Sequence, residues 1–517
     1  MIRTSPSIKL KKHVSEHMSL PPRIQHLHRV SHAQAREIFA VEQKKFERVV
    51  SYLKSNGIEK IDEKKWHRSI HFKVSIGLIN KLFKIKLIYY TIHDEKYLGY
   101  KGHLYIDRTI AKDVSAVYGL NEKIIRSPKK VPDVSARMYP PPDHSFDLSK
   151  STTWYQLPIN KYSGKGQIVG VIEFGGGYDQ QTLKTFFQSC KIIPPPINDI
   201  LTDGAKNNPD DPNYILTYET FMDVEIVAGI ASGADQILVY FTQNHRANFV
   251  NVLSEAILGG EQDNYKTPNI ITSSWGDIEK NFTKEQIEDI NQLLLVGTTK
   301  GVTCIHASGD HGATGSISTK HSNVFFPASS PWNLSAGGTQ INTLNQDHTK
   351  IIKQVSWNVV IPKLGRQSSG GGFSKVFKKP AYQISSLSKK INGRGVPDVA
   401  ANANYINSIK IFVKNNHNKK PIVTTSYGTS AAAPFWAAYL ALCNEALVKK
   451  GLPTLGNVNA ALYYIAKKNK KAFMDITEGN NGIYTASVGW DPCTGLGCMQ
   501  GRILLKELIQ FYSTNRK

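Results

Sequence analysis

The 517-residue sequence predicts an α/β fold, a parallel sheet flanked by helices, preceded by a small α+β domain with an antiparallel sheet. Beyond Gly166, short continuous apolar runs at 168–172, 237–240, 270–271 and 302–305 alternate with segments of helical periodicity. Strands of that kind are buried on both faces, as a parallel sheet covered by helices requires. The first 150 residues read differently, with one long helical pattern, alternating strands and a proline-rich exit. The length exceeds one average domain, and a hydrophobic content of 40% is enough for a sizeable core.

In chain order, Ile38, Val41, Phe46, Val49, Val50 and Leu53 recur at helical spacing and predict one helix over about 33–53 that stops near Gly57. Strands around 69–74 and 85–90 follow, with a short helix over 78–83 between them. Pro128, Pro132 and the run Pro140-Pro141-Pro142 form a connection that is easily cut. The expected boundaries are 1–126 for the first domain, 127–150 for a linker holding a processing site, and 151–517 for the second domain.

Three segments of the second domain carry chemistry. Ser426-Tyr427-Gly428-Thr429-Ser430-Ala431-Ala432-Ala433-Pro434 is a strand end, a tight turn and a helix start made almost wholly of small residues. Such a turn exposes the Ser430 hydroxyl at a helix N-terminus, where free N–H groups favour developing negative charge. The same residues also suit a helix packed closely on a sheet. In 218–231, Glu219 and Asp223 are four residues apart and share a helical face with Ile226 and Ile230, the stripe a helix buries. Two carboxyls on that stripe either bond to backbone or work as an acid/base dyad. In 302–312 an apolar strand runs into Gly309-Asp310, placing an acid at a strand's carboxyl end, where functional groups of open α/β sheets gather. An Asx turn is the plainer use of that residue.

Taken together and in this order, the segments resemble the sedolisin family of serine-carboxyl peptidases, most closely its kumamolisin-like members. The resemblance extends through Glu173-Phe174-Gly175-Gly176-Gly177-Tyr178, Ser273-Ser274-Trp275-Gly276, Phe326-Pro327-Ala328-Ser329-Ser330-Pro331-Trp332, Gly370-Gly371-Gly372-Phe373-Ser374 and the 393–400 segment. It implies a subtilisin-like sheet behind a ferredoxin-like prodomain, in a zymogen whose propeptide acts as an intramolecular inhibitor. It further implies Ser430 as nucleophile, Glu219 as its base, Asp223 as the acid that orients Glu219, and Asp310 as a protonated donor in the oxyanion hole. Glu173 and Trp275 extend the hydrogen-bond network behind the dyad. Protein or peptide substrates follow, with an acidic optimum because the base is a carboxylate and the donor acid must keep its proton. A tripeptidyl peptidase of the same family, or an idle binding protein, are the alternatives. A subtilisin arrangement needs a His-Gly-Thr setting for its base, which the sequence lacks.

Near the C-terminus, 475–482 and 489–497 are rich in oxygen donors, and two carboxylates with turn carbonyls suit Ca²⁺ better than Mg²⁺. The resemblance implies one structural ion held by Asp475 and Asp491 and by the carbonyls of Ile476, Ser487 and Gly489. Ser487 departs from the glycine usual there. Two further departures are His311, where serine is common and which is expected to point away from Asp310, and Phe325, where an acid can stand.

The formal net charge is +23, and 29 basic against 15 acidic residues lie before residue 151. No basic run is interleaved with aromatics and no nucleic-acid motif occurs, so nucleic acid is not an expected partner. The basic propeptide, with ten of the sixteen histidines, is expected to dock on an acidic catalytic cleft and to loosen in acid. Five cysteines build no disulfide framework, although Cys493 and Cys498 are close enough in sequence to pair. No transmembrane run and no secretory h-region stand out; the resemblance implies a monomer in an extracellular or other acidic, non-cytoplasmic space.

Overall fold

The computed structural model describes residues 1–92, 95–121, 145–260, 267–315, 321–361, 365–415 and 418–514. Most of the 127–150 connection, where a processing site is expected, lies outside the described residues.

The N-terminal unit is a four-stranded antiparallel sheet in the order Ile61–Lys64, Ser69–Phe72, Ile2–Thr4, Val114–Val117. Helix Gln43–Ser55 connects the first strand of the chain to the second, and Ile76–Phe83 follows the third. This is the ferredoxin-like βαββαβ arrangement. A separate hairpin, Lys86–Ile92 with Glu95–Lys101, precedes the last strand, so the expected strand near 85–90 pairs outside the main sheet.

The single helix expected over 33–53 is two helices, His32–Phe39 and Gln43–Ser55. Ser31 starts the first with a reciprocal capping box, and Ala40 leaves it in an extended conformation. The break has a packing cause. Phe46, Val49, Val50 and Leu53 fill the prodomain's own core, whereas Ala35 and Phe39 join the core of the second domain. One straight helix would not serve both.

The second domain is built on an eight-stranded sheet. From one edge its path runs Ile351–Ser356, Leu334–Leu344, Thr303–Ala307, Ile270–Ser273, Ile168–Glu173, Gln236–Phe241, Ile197–Leu201, and Val399–Asn402 also pairs with Leu334–Leu344. Every pairing is parallel except that of Ile351–Ser356. Alternate strand residues feed two cores: Val169, Val171, Ile237, Val239 and Ile305 lie on one face, Ile168, Ile172, Leu238, Ile271 and Cys304 on the other. Helices Tyr214–Ile230 and Thr429–Val448 cover the first face, Asn248–Leu258 and Lys284–Lys300 the second.

Tyr214–Ile230 carries no simple apolar stripe. Every residue from Ile215 to Ile230 is buried, because the helix is sandwiched between the sheet, the helix Thr429–Val448 and strand Lys410–Lys414. Thr429–Val448 is long and apolar enough to cross a membrane, but 94% of its apolar window is buried inside the fold, which makes it a core helix.

The prodomain sits on the second face. Arg36 donates to the carbonyls of Leu258 and Gly260, both at 2.7 Å, and His67 Nε2 lies 2.8 Å from the Gly259 carbonyl, so cationic and polar groups meet a helix C-terminus. Asp289, on helix Lys284–Lys300, takes Arg68 at 2.9 Å, Arg3 at 3.3 Å and the Tyr118 hydroxyl at 2.9 Å. Both guanidiniums are fully buried, and their burial is tolerable only because this carboxylate lies between them. Asp289→Ala in a Ser430→Ala background is expected to destabilise the full chain by about 3–5 kcal/mol, measured by denaturant unfolding, and to speed proteolysis of residues 1–121.

Candidate active site

Three neighbouring strands end at the site. Glu173 closes Ile168–Glu173, Ser274 and Trp275 follow Ile270–Ser273, and Asp310 follows Thr303–Ala307. Glu219 projects from Tyr214–Ile230, and Ser430 is the second residue of Thr429–Val448. A small cleft is lined by Glu219, Ser274, Trp275, Asp310, His311 and Ser430, among others. Of the six expected active-site residues, Glu219, Asp310, Ser430 and Trp275 face this cleft, and Glu173 and Asp223 lie behind it.

The turn before Ser430 requires glycine. Gly428 has φ +84°, and a Cβ there would stand 2.5 Å from Asp310 Oδ2. That closeness is used. Asp310 Oδ1 accepts the Thr429 N–H at 2.8 Å and its hydroxyl at 2.7 Å, while Thr429 Oγ1 accepts the Gly309 N–H at 3.1 Å. Burial raises the Asp310 carboxyl above its usual range, and the Thr429 bonds and the His311 charge oppose the rise. His311 therefore does not point away as expected. It lines the same cleft and acts on Asp310.

Behind the cleft lie carboxyls with no lysine or arginine among them in the described residues. Trp275 Nε1 donates to Glu173 Oε2 at 3.0 Å, and Ser274 Oγ lies 2.7 Å from Asp223 Oδ2. Burial pushes Glu219 up to about 8; the facing hydroxyls of Ser430 and Ser274 favour its ionised form, and the Asp310 charge disfavours it. Burial, then the neighbouring carboxyls, hold Glu173 and Asp223 well above the ordinary carboxylate range. Among the described residues, Glu173 Oε1, Glu219 Oε1 and Asp223 Oδ1 have no hydrogen-bond partner.

The C-terminal loop gathers the other predicted residues. Gly489 donates to Asp475 Oδ2 at 2.8 Å, Ser487 to Asp491 Oδ2 at 3.1 Å, and Cys493 and Thr494 N–H groups to Asp491 Oδ1 at 2.7 and 3.0 Å. Burial raises both carboxyls, Asp491 to about 6, so the loop resists bare negative charge as a cation site would. Among the described residues no three His, Cys, Asp or Glu side chains cluster as metal ligands, so an ion here would depend on the turn carbonyls. Cys493 and Cys498 are unpaired, as are the other three cysteines.

Residues 7–123 match the Pro-kumamolisin activation domain, and residues 205–473 match the Subtilase family. Kumamolisin of Bacillus sp. (strain MN-32) is 33% identical over 453 residues, 84% of this chain and 77% of that protein. The chain belongs to the sedolisin family, in its kumamolisin-like branch. This sedolisin is also 32% identical over 268 residues to tripeptidyl-peptidase 1 of Bos taurus, covering 47% of the chain and 43% of that protein. The solved structure of Pseudomonas sedolisin (serine-carboxyl proteinase) shares its subtilisin-like fold, with a TM-score of 0.61 at 22% identity over 71% of this chain and 98% of that one. The sedolisin is thus a serine-type peptidase preceded by an activation domain.

Among the described residues, none from 1–121 lines the cleft, contrary to the expected docking. The basic groups find buried partners at Asp289 and at helix C-termini instead. Thr429 and Ser274 are the site residues to which the sequence gives no role. Their neighbours Ser430 and Trp275 carry the motif signal, and only packing reveals what the two hydroxyls touch.

The buried carboxyls make stability pH-dependent with a definite sign. A carboxyl whose pKa is raised by folding contributes its full stability in acid and loses it as pH climbs through the folded value. Buried histidines such as His67 and His306, held low by burial, work in the opposite direction below about 6.5. A difference measurement separates them. In a Ser430→Ala background, the Tm of Asp223→Asn minus that of the parent is expected to rise steadily from pH 4 to pH 8.

Proposed function

We propose that this sedolisin is an acid-active endopeptidase, made as a zymogen, that hydrolyses peptide bonds through an acyl-enzyme on Ser430. The observation that carries the reading is that the Glu219 carboxyl faces the Ser430 hydroxyl, with Asp310 in the same cleft. Ser430 Oγ attacks the substrate carbonyl carbon and its proton passes to Glu219. Asp223, neutral, keeps a second negative charge away from Glu219. Asp310, with Oδ1 held by Thr429, presents Oδ2 as the donor to the tetrahedral oxyanion. Glu219 then returns the proton to the leaving amine, and water repeats the sequence to free the acid product.

The acidic optimum follows from the coupling of these acids. An ionised Asp310 holds a proton on Glu219, so neutralising Asp310 in acid both creates the oxyanion donor and relieves one force against an ionised Glu219. The active form carries one negative charge, on Glu219. Full protonation ends activity at low pH and ionisation of Asp310 ends it toward neutrality, giving a bell-shaped profile.

Asp475 and Asp491, with the carbonyls of Ile476, Ser487 and Gly489, would hold one Ca²⁺, which would stiffen the loop without entering the chemistry. Processing falls within 127–150, between a prodomain of 1–126 and a catalytic domain of 151–517. The enzyme works as a monomer in an acidic space outside the cytoplasm. Tripeptidyl exo action is the second reading, favoured by the similarity to tripeptidyl-peptidase 1.

Incubation of the purified chain at pH 4 beside Ser430→Ala tests the reading. Self-cleavage within 127–150 is expected in the first and not in the second, and cleavage in both contradicts it. On N-blocked peptides the enzyme is expected to retain activity, which a tripeptidyl peptidase would not. Asp310→Asn is expected to lower kcat/KM about 10²–10³-fold and to abolish the fall toward neutral pH. A chelator is expected to lower the Tm of the parent, and Asp491→Asn to remove that response.

A further inference from the structure

We propose that Ser274 is a positioning residue that passes the hydrogen bond of a protonated Asp223 to the backbone carbonyl of Ser430, across a gap that Pro434 leaves in the nucleophile helix. The proposal rests on the peptidase reading and adds a link that reading does not contain.

The argument begins with the helix. In Thr429–Val448 the carbonyl of residue 430 would ordinarily accept the N–H of residue 434. Residue 434 is proline and has no N–H. A buried carbonyl with no donor is costly, and the side chain that reaches it is Ser274, whose Oγ lies 3.1 Å from Ser430 O. The same oxygen lies 2.7 Å from Asp223 Oδ2.

A hydroxyl has one proton to donate. With Asp223 ionised, Ser274 would face two acceptors and could satisfy only one. With Asp223 protonated, its O–H donates to Ser274 Oγ, and Ser274 donates to the Ser430 carbonyl, so both short contacts are bonds. The surroundings favour that state. Asp223 is fully buried, Glu173 faces it from the neighbouring strand, and Glu219 faces it from its own helix. Asp310 faces Glu219 from the loop after Thr303–Ala307, with His311 beside Asp310 and Tyr218 beside Glu219. One hydroxyl therefore fixes where the turn carrying Ser430 stands and holds the proton of Asp223.

The test is a double-mutant cycle on Ser274 and Pro434, with kcat/KM measured against pH on an N-blocked peptide. Ser274→Ala is expected to lower kcat/KM at least tenfold, because the Ser430 carbonyl loses its donor. Ser274→Thr is expected to keep the rate. Pro434→Ala restores an N–H to the Ser430 carbonyl. Combined with Ser274→Ala it is expected to recover most of the rate. A Ser274→Ala enzyme within twofold of the parent at every pH overturns the proposal, as does a double variant whose losses simply add.

Parent activity that persists in Ser430→Ala would overturn the peptidase reading instead. A readout free of turnover keeps the two apart: infrared absorption of protonated carboxyls in the Ser430→Ala protein at pH 7. A band lost in Asp223→Asn and shifted in Ser274→Ala is expected. A spectrum in which Asp223→Asn removes no protonated-carboxyl band contradicts the proposal even if Ser274→Ala fails to fold.

Discussion

The site depends on one constraint: several carboxyls are buried together behind a serine, with no lysine or arginine among them in the described residues. In water each would be ionised at neutral pH, but in this interior charge is expensive and the acids hold their protons instead. A buried carboxyl held neutral can donate a hydrogen bond, and one that ionises among neutral neighbours is a stronger base than an exposed one. In the proposed mechanism the same desolvation prepares both a donor at Asp310 and an acceptor at Glu219.

The fold meets the constraint through small residues and strand ends. Parallel strands bring Glu173, Trp275 and Asp310 to one edge of the sheet, and two fully buried helices hold Glu219 and Ser430 above it. Gly428 lets the nucleophile turn approach Asp310, and Thr429 spends both donors on one oxygen of that acid. Pro434 has a cost, an unpaired carbonyl at Ser430, which Ser274 offsets from another strand. Among the described residues, the prodomain contributes nothing to the cleft. It is fixed on the opposite helical layer by Asp289 and by carbonyls at helix ends, so its hold on the catalytic domain and the chemistry of the cleft rest on different residues.

Much of this was legible in the sequence because it is locally encoded. A Gly-Thr-Ser turn, an acid pair at helical spacing and an acid after an apolar strand each declare their geometry within a few residues, and the fold class follows from the same strands. What was not legible depends on distant partners. The helix expected over 33–53 divides because its halves serve different cores, a fact stored in the residues they pack against. The inward face expected of Glu219 and Asp223 understated their burial, since a helix covered on all sides shows no stripe. The docking of the prodomain was misplaced because net charge cannot locate Asp289, and the residues around His311 do not reveal that it shares the cleft with Asp310.

The central claim is that a carboxylate, and not the imidazole that shares the cleft, takes the proton from Ser430. The measurement that tests it most directly is the single-turnover acylation rate of the matured enzyme at its pH optimum, compared between Glu219→Gln and His311→Ala. The account predicts a fall of about 10²–10⁴-fold for the first and less than tenfold for the second. The reverse order would contradict it.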